Sequence, residues 1–348
     1  MSGDGPNSFG PYHLIRKIGS GGMGIVWMAR REGYNGPLVV KRLHRHLAED
    51  KEAVTRLFDE VKHTRRLRHQ NVVRVFDGGR IGDTYFLAME WIEGLHLRSC
   101  VEASGAPLPP TLTASLARQA AAGLAAAHTA VDESGEPMGL VHRDVSPDNL
   151  MVNTSGTLKV LDFGIARSRG SLARTNAGIR HGKLLYIAPE YLEDGVASVR
   201  SDVYSLGMTM WEICTGHVPV EGCDPVSIVE RIFSAGVPPA NSVRPEIPAE
   251  LSRIIAAATQ IDPDDRPHSM EALSERLSAF LRQHRPPSRE TVGRMVRDWK
   301  AALSIRAAAP VLDETPSEEP TDPSASAQVT EPLTTPLEPS GPPTLPDK

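Results

Sequence analysis

The chain lacks the features that mark a secreted or membrane-spanning protein. Its three cysteines, Cys100, Cys214 and Cys223, show no metal-ligand spacing and cannot all pair with one another, which favours free thiols in a reducing compartment. The N-terminal stretch "MSGDGPNSFGPYH" has no basic-then-apolar leader, and no run approaches the roughly 20 apolar residues that a membrane span requires. We therefore expect a cytoplasmic protein that contacts no membrane.

Strong charge of either sign is also missing from most of the chain. The formal net charge is −5 for 348 residues, but residues 307–348 hold eight acidic side chains against Lys348 alone, so this tail carries −7 and the remainder +2. A nearly neutral body does not indicate nucleic-acid binding. The tail has ten prolines in 42 residues and little apolar surface to offset the entropy of ordering, so we expect it to be disordered.

Hydrophobic patterns divide the body into two parts. The first part alternates short β-type runs with glycine turns around one amphipathic helix at 49–66. After the Gly/Pro-rich "ASGAPLPP", a long alanine-rich helix begins and helical spacing dominates. We predict an α+β fold with a β-rich lobe and a larger helical lobe. The predicted units are residues 1–9 (flexible), 10–93 (β-rich lobe), 94–284 (helical lobe), 285–306 (a further helix) and 307–348 (the tail).

A glycine-rich hairpin lies near the start of the β-rich lobe. The stretch "GSGGMGIV" places Gly19, Gly21 and Gly24 in a G-x-G-x-x-G array. In a dinucleotide-binding fold these glycines lead into a helix, whereas here strand-like residues lie on both sides. Such a hairpin can bring its backbone amides close to phosphates because no side chain intervenes. The alternative is a hairpin that is merely flexible.

Lys41 ends the apolar run "LVVK", where burial without a partner would be costly. A carboxylate should therefore face its ammonium group, and Glu60 on the amphipathic helix can supply one. Such a pair would aim Lys41 at the α- and β-phosphates of a nucleotide beneath the glycine hairpin. The alternative is a lysine that simply ends a strand in solvent.

Two later loops carry oxygen-bearing side chains. Asp144 and Asn149 lie five apart in "HRDVSPDN", and "LDFG" places Asp162 after the strand-like "TLKVL". Phosphoryl transfer needs oxygen ligands for Mg²⁺ and a carboxylate near the acceptor hydroxyl. Asn149 and Asp162 suit the metal ion, and Asp144 suits the hydroxyl. Ordinary Asx-turns are the alternative, but the order and spacing are those that this chemistry uses.

Together these motifs give the chain a family resemblance. Over about residues 10–284 it resembles the eukaryotic-type protein kinases, of the bacterial serine/threonine class. The motifs that carry the resemblance, in kinase order, are "GSGGMG", "VVK", Glu60, "RHQNVV", "HRDVSPDN", "DFG", "APE", "SDVYSLG" and "DPDDRP". It implies a bilobal fold and transfer of the γ-phosphate of Mg·ATP, with Mn²⁺ as an alternative ion, to serine or threonine of protein substrates. It also implies autophosphorylation, with self-association if this occurs in trans.

The resemblance implies roles that spacing alone does not assign. Met89 would be the gatekeeper beside the adenine, Glu90 would begin the hinge between the lobes, and Val26 would contact the nucleotide. Glu190 of "APE" would form an ion pair with Arg266.

Regulation is implied in the same way. Asp202 would brace the catalytic loop "HRDVSPDN", and Arg143 in that loop would receive a phosphate from the segment between "DFG" and "APE". A phosphate adds charge that arginine can capture, so it can order such a segment. The candidate phosphosites are Ser168, Ser171 and Thr175.

Two positions depart from the family pattern. Ser146 stands where serine/threonine kinases usually have lysine, and Lys183 stands where they usually have threonine. In that family the two side chains meet in the active site, so we interpret the departures as a reciprocal exchange. Lys183 would supply the ammonium for the γ-phosphate, and the Ser146 hydroxyl would hold Asp144. In a decayed loop, Lys183 would be solvated and Ser146 would be a turn residue.

Other classes of function fit less well. A pseudokinase scaffold would bind nucleotide or partners without turnover, but Lys41, Glu60, Asp144, Asn149 and Asp162 are all present. A small-molecule phosphotransferase would usually lack "APE" and the loop before it. Tyrosine specificity is disfavoured because the catalytic loop lacks the alanine/arginine arrangement of those enzymes.

Overall fold

The computed structural model describes residues 7–21, 24–44, 54–55, 64–163, 181–219 and 225–308. Within these ranges the side chains at 181–183, 225–226, 228–229 and 307–308 are outside the description. In the described part of the chain, no helix combines the length and the apolar character that a membrane crossing would need.

The N-terminal lobe is built on one antiparallel sheet. Its strands are β1 (Ser8–Phe9), β2 (Tyr12–Gly21), β3 (Gly24–Arg31), β4 (Leu38–Leu43), β5 (Val75–Ile81) and β6 (Thr84–Glu90), in the order β1-β2-β3-β4-β6-β5. The central strand β4 has buried residues on both faces. Leu38 and Val40 pack in one apolar cluster, and Val39 packs in another. Because side chains alternate along a strand, Lys41 shares the face of Val39.

The ordered structure begins earlier than the sequence predicts. Ser8 and Phe9 pair with His13 and Tyr12, and Phe9 is buried with its ring 5.5 Å from that of Phe86. The prediction of a flexible segment at 1–9 is therefore wrong for its last residues, because an aromatic anchor holds β1 on the sheet.

The C-terminal lobe is mainly helical. Its helices are α1 (Leu97–Ser104), α2 (Pro110–His128), α3 (Pro189–Asp194), α4 (Val199–Thr215), α5 (Pro225–Ala235), α6 (Ala240–Val243), α7 (Ala249–Ala258), α8 (Met270–Gln283) and α9 (Arg289–Ala308), with 3₁₀ turns at His181–Tyr186 and Pro263–Asp265. Helix α4 begins at a capping box formed by Ser198 and Ser201. Fourteen of its 17 residues are buried, so α4 lies in the core of this lobe. The predicted α+β, bilobal architecture is confirmed.

A second, three-stranded sheet lies in this lobe. Its antiparallel strands are β7 (Gly94–His96), β8 (Leu150–Asn153) and β9 (Leu158–Val160). The sequence suggested only the strand-like run near β9, because segments of three or four residues are too short to show periodicity. Val73 N donates to the Val160 carbonyl at 2.9 Å, which joins this sheet to the chain entering β5.

A buried ion pair fixes the base of this lobe. The Arg266 side chain is fully buried, and its two terminal nitrogens donate to Glu190 at 2.9 and 2.8 Å. Arg266 also donates to backbone carbonyls at 200, 260 and 261, and lies over the Tyr204 ring at 4.9 Å. Breaking such a pair leaves an uncompensated buried charge, so each partner depends on the other.

We predict that Glu190→Ala lowers the free energy of unfolding by about 3 kcal/mol, because Arg266 would stay buried without its carboxylate. Chemical denaturation measures the loss. Glu193→Ala, at an exposed position of the same helix, is the matched control and should change stability by less than about 0.5 kcal/mol. Equal stability of the two variants would contradict the assignment.

Candidate active site

Lys41 lies in the cleft between the two sheets and reaches a partner from the other lobe. Its Nζ donates to Oδ2 of Asp162 at 2.7 Å, and 16% of its side chain is exposed. Strand β4 therefore meets the segment after β9 at this point. Glu60, the predicted partner of Lys41, lies outside the described residues, so that pairing stays a prediction.

Apolar side chains continue the face on which Lys41 lies. Val26 stands directly opposite Lys41 in the sheet, and Met89 stands opposite Val39. Met89 is buried, and Val26 packs against the same cluster. A flat apolar face beside an ammonium group suits a nucleotide, whose base needs the first and whose phosphates need the second.

Glu90 lies where β6 ends, and its carboxylate is occupied by hydrogen bonds within the protein. Oε1 accepts from Lys159 Nζ at 2.5 Å and from the backbone N–H of Arg74 at 2.9 Å. The side chain therefore joins the two sheets, and a bound nucleotide would meet the backbone of Glu90 rather than its carboxylate.

The glycine hairpin has two kinds of glycine. A Cβ at Gly24 would overlap the carbonyl oxygen of Arg42, so the sheet itself requires glycine there. A Cβ at Gly19 or Gly21 would meet no atom of the described residues within 4 Å, so the sheet itself does not require glycine there, and phosphates could approach the backbone. His44 was not predicted from the sequence; its Nε2 donates to the Gly21 carbonyl at 2.9 Å and links the hairpin to the residue after β4.

Asp144 is oriented by Asn149. The Asn149 amide nitrogen donates to the Asp144 carbonyl at 2.7 Å and to its carboxylate at 2.9 Å. The backbone carbonyl of Asn149 accepts from the backbone N–H of Leu161 at 2.9 Å, which joins the catalytic loop to the residue before Asp162. Asn149 directly precedes β8 and Asp162 follows β9, so the antiparallel hairpin brings both to one end. Asn149 donates through its amide nitrogen, so its amide oxygen is left as an acceptor, and this oxygen and the Asp162 carboxylate would be the groups at this end to hold Mg²⁺.

Asp202 holds the catalytic loop from within the core. It is fully buried and accepts from His142 N at 2.7 Å, Arg143 N at 2.8 Å and the His128 ring at 2.8 Å. Burial would raise the pKa of Asp202, but the interactions with His128 and His142 outweigh it and lower the pKa below its ordinary value. The bracing role that the family resemblance implies matches this geometry.

The backbone is strained at two points beside the site. Among the described non-glycine residues, Arg143 and Asp162 have positive φ, at 66° and 40°. Such conformations cost on the order of 1–3 kcal/mol and persist only where the surroundings hold them. The hydrogen bonds at Asp202 hold Arg143. The His142 ring bonds the Leu161 carbonyl at 2.7 Å and packs on Phe163 at 4.8 Å, which holds both neighbours of Asp162.

A charged network that the sequence did not reveal lies on the other side of the loop. The Arg98 guanidinium donates to Asp148 at 3.0 and 3.1 Å, to Glu212 at 2.9 Å and to the Tyr186 hydroxyl at 3.0 Å. Burial and the adjacent Glu212 carboxylate raise the pKa of Tyr186, so its hydroxyl stays protonated and donates to Glu212. The network joins the catalytic loop, α4 and the segment before α3.

Ser146 is buried, and its Oγ makes no hydrogen bond within the described residues. The expectation that this hydroxyl holds Asp144 is therefore corrected: the Asn149 amide holds Asp144 instead. Lys183 lies in the 3₁₀ turn His181–Tyr186, but its side chain is outside the description. The candidate phosphosites Ser168, Ser171 and Thr175 also lie outside the described residues.

Comparisons with known proteins agree on one family. The family model described as "Protein kinase domain" matches residues 12–278. Curated relatives include tyrosine-protein kinase MasK of Myxococcus xanthus (32% identical, 79% of this chain and 44% of that protein), serine/threonine-protein kinase PknL of Mycobacterium tuberculosis (35%, 78% and 66%) and serine/threonine-protein kinase PrkC of Bacillus subtilis (33%, 75% and 39%). The chain thus spans less than two thirds of each relative. The crystal structure of the M. tuberculosis PknI kinase domain is 25% identical with a TM-score of 0.61, covering 80% of this chain and 99% of that one.

We predict that Asp202 makes stability depend on pH in the acid range. Because its pKa is lowered in the folded state, its contribution is complete above its ordinary pKa of about 4 and is lost as the pH falls through the lower, folded value. Urea unfolding between pH 2 and 6 should show a smaller acid-side slope for Asp202→Asn than for the wild type. Asp298→Asn, at an exposed position, should keep the wild-type slope.

Proposed function

The chain belongs to the protein kinase family, since the family model matches residues 12–278, and we propose that it acts as a serine/threonine protein kinase. Members of this family use ATP and a divalent metal ion. The observation that carries the proposal is the meeting of two hydrogen-bonded pairs in one cleft. Lys41 lies 2.7 Å from Asp162, the Asp144–Asn149 pair closes at 2.9 Å, and the Leu161–Asn149 hydrogen bond joins the two.

Binding of ATP falls to the N-terminal lobe. The adenine would lie on the apolar face of Val26 and Met89 and bond the backbone at Glu90. The open backbone at Gly19 and Gly21 would receive the phosphates, with Lys41 paired to the α- and β-phosphates and Glu60 proposed as its second carboxylate. These groups hold the nucleotide in a fixed position, which removes much of the entropic barrier to transfer.

The C-terminal lobe would hold the metal ion and the acceptor. Asn149 and Asp162 would bind Mg²⁺, with Mn²⁺ as an alternative, and the ion when bound neutralises charge on the phosphoryl oxygens. Asp144 would accept the proton of the acceptor hydroxyl as the new O–P bond forms and the bond to ADP breaks. The two hydrogen bonds from Asn149 keep the Asp144 carboxylate aimed at that hydroxyl.

Acceptor specificity is the finer part of the proposal. The relatives PknL and PrkC are named serine/threonine kinases, whereas MasK is named a tyrosine kinase. We favour serine and threonine because the loop "HRDVSPDN" lacks the alanine/arginine arrangement of tyrosine-specific enzymes. Tyrosine transfer is the second candidate, and phosphoamino-acid analysis of the products separates the two.

Regulation and location are part of the same proposal. Phosphorylation of Ser168, Ser171 or Thr175, in trans between two copies, would place a phosphate on Arg143 and order the segment before α3. A cytoplasmic location is supported by Cys100 and Cys214, which are buried free thiols.

The central test is transfer of ³²P from Mg·ATP to a protein acceptor and to the enzyme itself. Asp144→Asn should lower kcat by about 10² to 10⁴ because the proton acceptor is lost. Lys41→Met should remove detectable transfer. Asp194→Asn, on an exposed part of α3, is the control and should keep wild-type activity. Mass spectrometry of the products maps the phosphates, and a wild-type chain that binds nucleotide without transfer would be a pseudokinase.

A second test addresses the proposed role of Lys183 as the ammonium group at the γ-phosphate, which does not depend on a bond from the Ser146 hydroxyl to Asp144. Lys183→Ala should lower kcat on the order of 10²-fold, since one charge contact to the transition state is lost. Ser146→Lys alone should also lower kcat, because two ammonium groups would crowd one phosphate. The double change Ser146→Lys with Lys183→Thr should recover much of the loss, so the double-mutant cycle should be strongly non-additive. Additive effects would reassign Lys183 to the surface.

A further inference from the structure

Helix α9 lies beyond the segment that the family model matches, yet it is part of the core. The match ends at residue 278, and α9 runs from Arg289 to Ala308. Val292 and Val296 are buried in the main apolar cluster of the C-terminal lobe, and Met295 and Trp299 pack against it. The helix is therefore fixed on the kinase body along one side.

The backbone of α9 lies directly against the turn between β8 and β9. A Cβ at Gly293 would lie 2.5 Å from the Thr154 carbonyl oxygen, and a Cβ at Gly156 would overlap the carbonyl oxygen of Arg289. Arg297 donates to the same Thr154 carbonyl at 2.6 Å. Two glycines thus allow an approach that any side chain would prevent, and an arginine fixes it.

This turn connects α9 to both halves of the proposed nucleotide site. The β8–β9 hairpin carries Asn149 at the start of β8 and Asp162 after the end of β9. Thr154 N donates to the carbonyl of Glu93, in the connector between the lobes, at 2.8 Å. Lys300 of α9 then donates to the Glu93 carboxylate at 3.2 Å.

We propose that α9 is a positioning element for nucleotide binding, acting through the β8–β9 turn and Glu93. It touches neither substrate nor metal. By holding the turn it fixes the hairpin that carries the two metal-ligand candidates, and by holding Glu93 it fixes the connector beside Glu90. The inference rests on the proposed function, and it adds a helix outside the matched domain to the parts on which that function depends.

The contacts differ in what they contribute. The Lys300 and Glu93 side chains are 31% and 66% exposed, so screening by water makes their ion pair a minor contribution to holding the connector. The close approach at Gly293 cannot be relieved by a side-chain rotation, because both sides are backbone. Most of the positioning should therefore depend on Gly293, and a smaller part on the ion pair.

The test compares two leucine substitutions in the full chain. Gly293→Leu introduces a good helix former at the contact with Thr154, whereas Ala301→Leu adds the same side chain at an exposed position of α9. We measure Kd for Mg·ADP with a fluorescent nucleotide, KM for Mg·ATP and for the protein acceptor, and the unfolding midpoint. Gly293→Leu should raise Kd for Mg·ADP and KM for Mg·ATP about tenfold, because displacement of the β8–β9 hairpin would move Asn149 and Asp162 away from the nucleotide. Ala301→Leu should keep the wild-type values.

A charge-reversal cycle keeps the proposal testable if Gly293→Leu does not fold. Lys300→Glu should raise Kd for Mg·ADP by about two- to threefold, within the range of a surface pair, and Lys300→Glu with Glu93→Lys should restore it. A purely structural role for α9 would lower the unfolding midpoint without this rescue. Unchanged Kd in folded Gly293→Leu, or in both charge variants, overturns the inference alone. Failure of the wild type to bind nucleotide overturns the proposed function as well.

Discussion

One fully buried carboxylate, that of Asp202, sets the geometry on which the site depends. An ion in a water-free interior is costly unless donors surround it. Here the donors are the backbone N–H groups of His142 and Arg143 and the ring of His128. Asp202 stands on α4, of which 14 of 17 residues are buried, so the catalytic loop is fixed to the core of the C-terminal lobe. The strained φ of Arg143 is tolerated for the same reason.

The cleft is formed by residues from both sheets. Lys41 comes from the centre of the N-terminal sheet and Asp162 from the end of the C-terminal hairpin, and they meet at 2.7 Å. Behind the cleft, Lys159 and Glu90 repeat the pattern with the charges exchanged between lobes. Both of these ion pairs cross between the lobes, and among the described residues the more exposed Arg66–Glu133 pair crosses as well. A change in the angle between the two sheets would change the N–O distances of the Lys41–Asp162 and Lys159–Glu90 pairs together. Closure of the lobes is therefore coupled to both ion pairs.

Long periodic elements could be predicted from the sequence, and single contacts could not. The strands around Lys41 and helices such as α2 and α4 can be predicted because each contains enough residues to show a hydrophobic period. The kinase resemblance, now confirmed, gave the Glu190–Arg266 pair and the role of Asp202. Short strands such as β7, the bond from His44 to Gly21 and the Arg98 network carry no periodic signal, since each depends on residues far apart in the chain. The sequence interpretation placed the Ser146 hydroxyl on the Asp144 carboxylate, but the Asn149 amide donates to that carboxylate instead.

The glycines of the hairpin differ in how freely they could be substituted. Gly24 is held by the packing of the sheet against Arg42, whether or not a nucleotide ever binds. At Gly19 and Gly21 a Cβ would meet no atom of the described residues, so the sheet does not require glycine there, whereas a bound nucleotide would. If phosphotransfer is the activity of this chain, relatives that lose it should keep Gly24, while Gly19 and Gly21 become free to vary. The third glycine of the array would therefore report on the fold of the sheet, and the first two would report on nucleotide binding.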